Sequence, residues 1–191
     1  MLLEERNFYK PFNYPWAFEA YKTQQHMHWL PDEVPLGDDL KDFREKLSDD
    51  NKALLTNIFR FFTQADVDVC CGYATHYLPK FKQPEVRMML ASFANMEAVH
   101  QEAYSLLLET LGFDDSEYQM FTQIQSMSDK HEYLSKFDTE SPMGLAKTMA
   151  VYSAFTEGVQ LFSSFAILLN FPRHNLMKGM GQIVTWSIRD E

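Results

Sequence analysis

Acids and an imidazole set inside apolar helical runs constrain this chain more than any other feature of its 191 residues. Glu97-Ala98-Val99-His100 lies among Met96, Leu106 and Leu107, with Tyr104 one turn further on. Side chains three and four apart share a helical face. Glu97, His100 and Tyr104 therefore line one stripe: a carboxylate, an imidazole and a phenol aimed the same way. Asp66 closes the run Phe61-Phe62-Thr63-Gln64-Ala65-Asp66. Glu157 sits in Phe155-Thr156-Glu157-Gly158-Val159, and Glu191 follows Trp186-Ser187-Ile188-Arg189-Asp190. An unpaired charge in such surroundings is costly, so the fold has to bring these acids to something that compensates them.

Their order supplies a plan. Asp66 precedes Glu97 by 31 residues and Glu157 precedes Glu191 by 34. A lone acid followed by a Glu-x-x-His, repeated once, suits a pseudo-twofold site inside four helices, the arrangement of ferritin-like di-iron and di-manganese carboxylate proteins. Asp66 then replaces one of the two lone glutamates. The second Glu-x-x-His begins at Glu191 and is not completed in this sequence. Carboxylate oxygen and imidazole nitrogen suit iron or manganese, whereas thiolates would favour zinc or iron–sulfur clusters. Four carboxylates also offset the charge of two divalent ions.

Local signals agree with an all-α chain. Gly and Pro are scarce, at 7 and 8, and helices are expected over Trp16–His28, Asp38–Lys46 (short and polar), Ser48–Leu78, Pro84–Leu111, Ser116–His131, Ser141–Leu169 and from Leu176 onward. Ser48 is an N-cap followed by acids, Pro142 occupies a first helical position, and Gly112 is a stop. No linker or low-complexity segment interrupts residues 1–191, which read as one domain. A net charge of -10 argues against a nucleic-acid or anionic-membrane partner. No apolar run is expected to span a bilayer, and no signal peptide precedes the first helix. Cys70 and Cys71 are expected to be reduced thiols of a cytoplasmic protein. His26, His28, His76, His131 and His174 lack an acid-rich helical setting and are expected to be structural or exposed.

Four blocks taken together resemble the small (β) subunit of class I ribonucleotide reductase: His28-Trp29-Leu30-Pro31-Asp32-Glu33-Val34, Phe62-Thr63-Gln64-Ala65-Asp66, Met96-Glu97-Ala98-Val99-His100 with Tyr104, and Ser187-Ile188-Arg189-Asp190-Glu191. The resemblance covers nearly the whole chain. It implies a ferritin-like four-helix bundle with extra helices, incomplete at its C-terminal end. It implies that Asp66, Glu97 and His100 hold one metal and that Glu157 and Glu191 serve the other, the pair being di-iron, di-manganese or manganese/iron. Tyr104 matches the radical tyrosine, Trp29 the tryptophan that passes electrons, and Asp190 the acid linking it to His100. The implied activity is oxygen-dependent formation of a tyrosyl radical, passed to a separate large (α) subunit for reduction of ribonucleotides to deoxyribonucleotides. A homodimer of small subunits is expected to face that partner. Leu161, Phe165 and Ser187 occupy a radical pocket where the family usually has Phe, Phe and Ile.

Two alternatives compete. A ferritin-like di-metal oxidase or ferroxidase without radical export keeps the same bundle, but Trp29, Tyr104 and Arg189-Asp190-Glu191 argue against it. A non-catalytic fragment that needs a complementing chain predicts weak or no metal binding in isolation. The chain itself is expected to be a fragment, one exon or a piece of a split gene product, with poor activity alone.

Overall fold

The computed structural model describes residues 1–191, and every regular element in it is helical. Four long helical runs carry the acids singled out by the sequence. Helix α3, Asp49–Gly72, starts where the Ser48 hydroxyl accepts a hydrogen bond from the Asn51 amide, and it continues through a π-helical turn, Tyr73–Tyr77. Helix α4, Pro84–Leu111, stops at Gly112, whose φ of 87° is the left-handed conformation that a residue without Cβ adopts freely. A 32-residue helical run spans Pro142–Arg173 and the last helix spans Lys178–Asp190. Around them lie α1, Pro15–Met27, and the short α2, Gly37–Lys41. Helix α3 packs on α4, and α1 covers α4 from its other side. Apolar burial joins α3, α4, Leu161, Phe165 and the last helix in one core around Tyr104. A second core lies under α1, around Tyr77, Phe81 and Tyr152.

Several boundaries differ from expectation, each for a local reason. Residues 116–131 are two elements: a 3₁₀ helix over Asp115–Gln123 and α5, Gln125–Ser135. Ile124 between them is extended, with φ −96° and ψ 107°, which breaks the helical path. The run after Ser141 is α6, Pro142–Ala150, a π-helical stretch, Val151–Leu161, and α7, Phe162–Leu168. Each π turn takes in an extra residue and rotates those that follow. Gly158 permits it, since a Cβ there would stand 3.0 Å from the Ser153 carbonyl oxygen. After α8, Asn170–Arg173, the chain turns through Met177 at φ 52°, so the last helix, α9, starts two residues later than Leu176.

The segment 38–46 is not merely polar. Asp39 and Asp42 are buried. Asp39 accepts from the amides of Gly179 and Met180 at 2.9 and 2.8 Å, and Asp42 accepts from Met177 N at 2.9 Å. Two carboxylates from another helix thus satisfy the free amides at the start of α9. The expectation about apolar runs needs correction too. Pro142–Arg173 is long and apolar enough to cross a membrane by length and composition, because its π stretch keeps Gly, Ser and Thr within one continuous helix. Phe155, Val159 and Phe162 stand exposed along it.

Candidate metal centre

Helix α4 presents Glu97, His100 and Tyr104 inward on one stripe, all three buried. Asp66 arrives from α3, likewise buried, and Glu157 from the π stretch at intermediate exposure. Glu191 follows α9. Its residue as a whole is open, but its side chain is 8% exposed and turns inward. The Glu191 carboxylate stands 3.5 Å from His100 Nδ1, and Glu97 stands 3.9 Å from the same nitrogen. Donor atoms of Glu97, His100 and Glu191 all lie within 4.8 Å of one another. Asp66 and Glu157 are outside that trio yet close enough to act on it: both raise the pKa of Glu97. Glu191, expected to serve the second metal, thus stands beside His100, expected to serve the first.

Burial sets the electrostatics. It raises the pKa of Asp66, Glu97 and Glu191 above the usual carboxylate range, and repulsion from the neighbouring acids adds to it at Glu97 and Glu191. Burial, with Asp66 adding, pushes Glu157 up to about 7. Lys130 opposes the shift at Asp66, and His100 opposes it at Glu191. Asp66 Oδ2 and Glu97 Oε2 are buried with no hydrogen-bond partner, in a protein interior where such atoms are normally satisfied. Orphaned hard oxygens around an imidazole nitrogen fit a divalent iron or manganese pair.

The other ring nitrogen of His100 is already engaged. Nε2 lies 3.2 Å from Asp190 Oδ2, and Trp29 Nε1–H donates to that same oxygen at 2.6 Å. With the Nε2 proton facing Asp190, the Nδ1 lone pair faces the carboxylates, the orientation that an outer carboxylate gives a metal-binding histidine. Trp29 and Asp190 are thereby brought to the site as expected from their place in the sequence. Arg189 anchors the same corner, donating to the Met27 carbonyl at 2.5 Å.

Tyr104 lies in a dry apolar shell. Leu161, Phe165 and Ser187 are buried beside it, and the Phe62 ring stacks at 4.8 Å between centroids. The hydrogen-bonding place beside the phenol is taken by Ser187 Oγ at 3.4 Å. That hydroxyl already donates to the Ile183 carbonyl at 3.1 Å, which leaves it accepting from the phenol. Ser187 takes the place because α9 crosses α4 at this level, while Asp66 points to the carboxylates. Burial raises the Tyr104 pKa well above the ordinary phenol value.

Sequence reasoning missed Phe62, although it lies one turn before Asp66 on the same face. It also missed Trp186, whose ring is 5.1 Å from Trp29, and Gln101, which donates to the Asp66 carbonyl at 3.1 Å. Asp39 and Asp42 carried no signal that distinguishes a distant helix anchor from a surface acid. Of the remaining histidines, His131 pairs with Asp68 at 2.8 Å on the surface.

Comparison with known proteins gives concordant findings. The family model described as "Ribonucleotide reductase, small chain" matches residues 6–191. The probable ribonucleoside-diphosphate reductase small subunit of Invertebrate iridescent virus 6 is 50% identical over 204 aligned positions, covering 100% of this chain and 57% of that protein. The chain therefore spans little more than half the length of this relative. Among solved structures, the ribonucleotide reductase R2 subunit from Clostridium botulinum superposes with a TM-score of 0.87 at 20% identity, covering 97% of this chain and 60% of that one. The dimanganese(II) NrdF of Streptococcus sanguinis superposes with a TM-score of 0.75 at 22% identity, covering 96% and 66%. These likenesses establish the fold as the all-α, ferritin-like one.

Proposed function

The chain belongs to the ribonucleotide reductase small-chain family, and we propose that it is the radical-generating part of a ribonucleoside-diphosphate reductase. The carrying observation is the continuous set Trp29–Asp190–His100 joined to buried carboxylates, with Tyr104 sealed one turn from His100. Asp66, Glu97 and His100 would hold one metal, and Glu157 and Glu191 would hold the other. A pair of iron or manganese ions bound there supplies oxidising power, drawn from oxygen, sufficient to remove an electron from a phenol.

The chain's own residues do the rest. Asp190 keeps the Nε2 proton of His100 directed away from the metals. Its bonds to Trp29 and His100 form a short hydrogen-bonded path for an electron moving toward the site. Ser187 accepts the Tyr104 O–H in the resting state and is the first group to meet its proton. Phe62, Leu161 and Phe165 exclude water, which would otherwise quench a phenoxyl radical. The radical is then exported to a large subunit that binds the nucleotide, serving deoxyribonucleotide synthesis, with the small subunit acting as a homodimer.

The test is anaerobic loading with ferrous iron or manganese, metal analysis, oxygen exposure and low-temperature electron paramagnetic resonance. A pair of metals per chain and a long-lived tyrosyl signal abolished by Tyr104→Phe are expected. Metals without any radical would replace this proposal with a di-metal oxidase, and no metal uptake would refute the ligand assignment.

A further inference from the structure

Tyr104 is not the phenol with the most direct way out of the site. A cavity of 290 Å³ is lined by Glu97, Glu157 and Glu191 and also by Tyr73, Tyr77 and Tyr152. Burial raises the pKa of all three phenols, with Glu157, Glu97 and Glu191 adding at Tyr73 and Glu157 adding at Tyr77. Their rings follow one another, with 5.8 Å between the centroids of Tyr73 and Tyr77 and 6.2 Å between those of Tyr77 and Tyr152. Beyond Tyr152, Phe137 lies at 5.9 Å, and Tyr133, 58% exposed, lies 5.1 Å from Phe137. His76 flanks the row, 6.3 Å from Tyr152.

The surroundings of Tyr104 are chemically different. Its ring meets Phe62, and Phe62 meets Phe165 at 5.3 Å. Phenylalanine is far harder to oxidise than tyrosine, so a radical on Tyr104 has no adjacent ring to move to. A radical on Tyr73 has one at each step. Tyr104 thus has no competing phenol beside it, whereas Tyr73 has one.

We propose that Tyr73 is a second oxidisable tyrosine of this chain, heading a row through Tyr77 to Tyr152 that carries misdirected oxidising equivalents away from the carboxylate site. With an oxidised metal pair held by the carboxylates, Tyr73 would lose one electron to it, its phenolic proton leaving to solvent through the cavity that Tyr73 lines. Tyr77 then reduces the Tyr73 radical and Tyr152 reduces the Tyr77 radical, one electron and one proton moving at each step. A small thiol entering the cavity that Tyr152 lines gives that phenol back one electron and one proton and is itself oxidised. The proposal rests on the radical-generating function proposed for the site, because that site is its oxidant.

The test compares Tyr104→Phe with the doubles Tyr104→Phe/Tyr73→Phe and Tyr104→Phe/Tyr118→Phe, each loaded with ferrous iron and mixed with oxygen. Readouts are freeze-quench electron paramagnetic resonance with ring-deuterated tyrosine, and peptide mapping of oxidised tyrosines. The single variant should give a short-lived tyrosyl signal and oxidation mapped to Tyr73, Tyr77 or Tyr152. Loss of both in the Tyr73 double, with both retained in the Tyr118 double, establishes the row. Metal uptake and oxygen consumption with no tyrosyl signal in Tyr104→Phe, or a signal that survives the Tyr73 double, overturns the row while the metal site stands. Absence of metal uptake in the unsubstituted chain overturns both.

Discussion

Replacing Glu157 by Gln should stabilise the metal-free protein, and only at high pH. Burial, helped by Asp66, lifts the folded-state pKa of Glu157 from 4.5 to about 7. The folded state therefore binds more protons than the unfolded state between those two values. Stability that is fully present below about pH 4.5 is lost as pH rises through about 7. A shift of about 2.5 units is worth about 3 kcal/mol when fully expressed. Part of that loss is already present at pH 5, where the unfolded carboxyl is mostly ionised, so between pH 5 and pH 8 the change is about 2.5 kcal/mol. The amide of Gln is neutral in both states and removes that dependence. Urea denaturation of the chelator-treated protein at the two pH values measures it. With a slope of ~2 kcal/mol/M, the Gln variant should gain about 1 M in midpoint at pH 8 and much less at pH 5. An equal effect at both pH values, or destabilisation at pH 8, would refute the claim that this acid is buried against its own charge. Saturating metal should reverse the sign, because the carboxylate then has its cation and the amide is the poorer ligand.

Asp190→Asn removes the negative charge shared by Trp29 and His100 while keeping the side chain's shape. Metal affinity in a competitive chelator titration should fall by ~10–100-fold, the usual cost of losing an outer-shell carboxylate, with the far-ultraviolet circular dichroism unchanged. Asp39→Ala leaves the amides of Gly179 and Met180 without an acceptor. It should cost about 2–4 kcal/mol in denaturant unfolding, and hydrogen exchange should show α9 opening first; uniform loosening would contradict the anchoring role. Tyr104→Phe gives up one long hydrogen bond to Ser187, so thermal unfolding should register no more than ~1 kcal/mol, although the long-lived tyrosyl signal is lost.

The sequence discloses most of what lies along a single helix and little of what lies between helices. Glu97, His100 and Tyr104 follow from the 3.6-residue repeat, and Ser48 and Gly112 mark their helix ends through local backbone chemistry. Trp29 and Asp190 are 161 residues apart, and only the resemblance of their sequence blocks joins them. The Asp39–Gly179 contact has no such help, because a buried acid serving a distant helix start looks like any acid in a short polar segment. The π-helical stretch at 151–161 is hidden for another reason: its pattern reads equally well as an ordinary helix, and only the placement of Gly158 against Ser153 distinguishes it.

The pseudo-twofold spacing suggested two equivalent half-sites, and the packing makes them unequal. Asp66, Glu97 and His100 stand on α3 and α4, regular helices packed against one another, with Gln101 and Asp190 holding Asp66's backbone and His100's ring. Glu157 stands in a π stretch flanked by exposed Phe155 and Val159, where fewer neighbours fix its direction. Rigid donors lose little freedom on binding a cation, whereas a donor that must first be ordered gives up part of its binding energy to conformational entropy. The half-site on α3 and α4 is thus built for retention, and the Glu157 side for adjustment. Under the function proposed above, that difference would let the carboxylates adjust to a change of metal oxidation state while Asp190 keeps His100 fixed relative to Trp29.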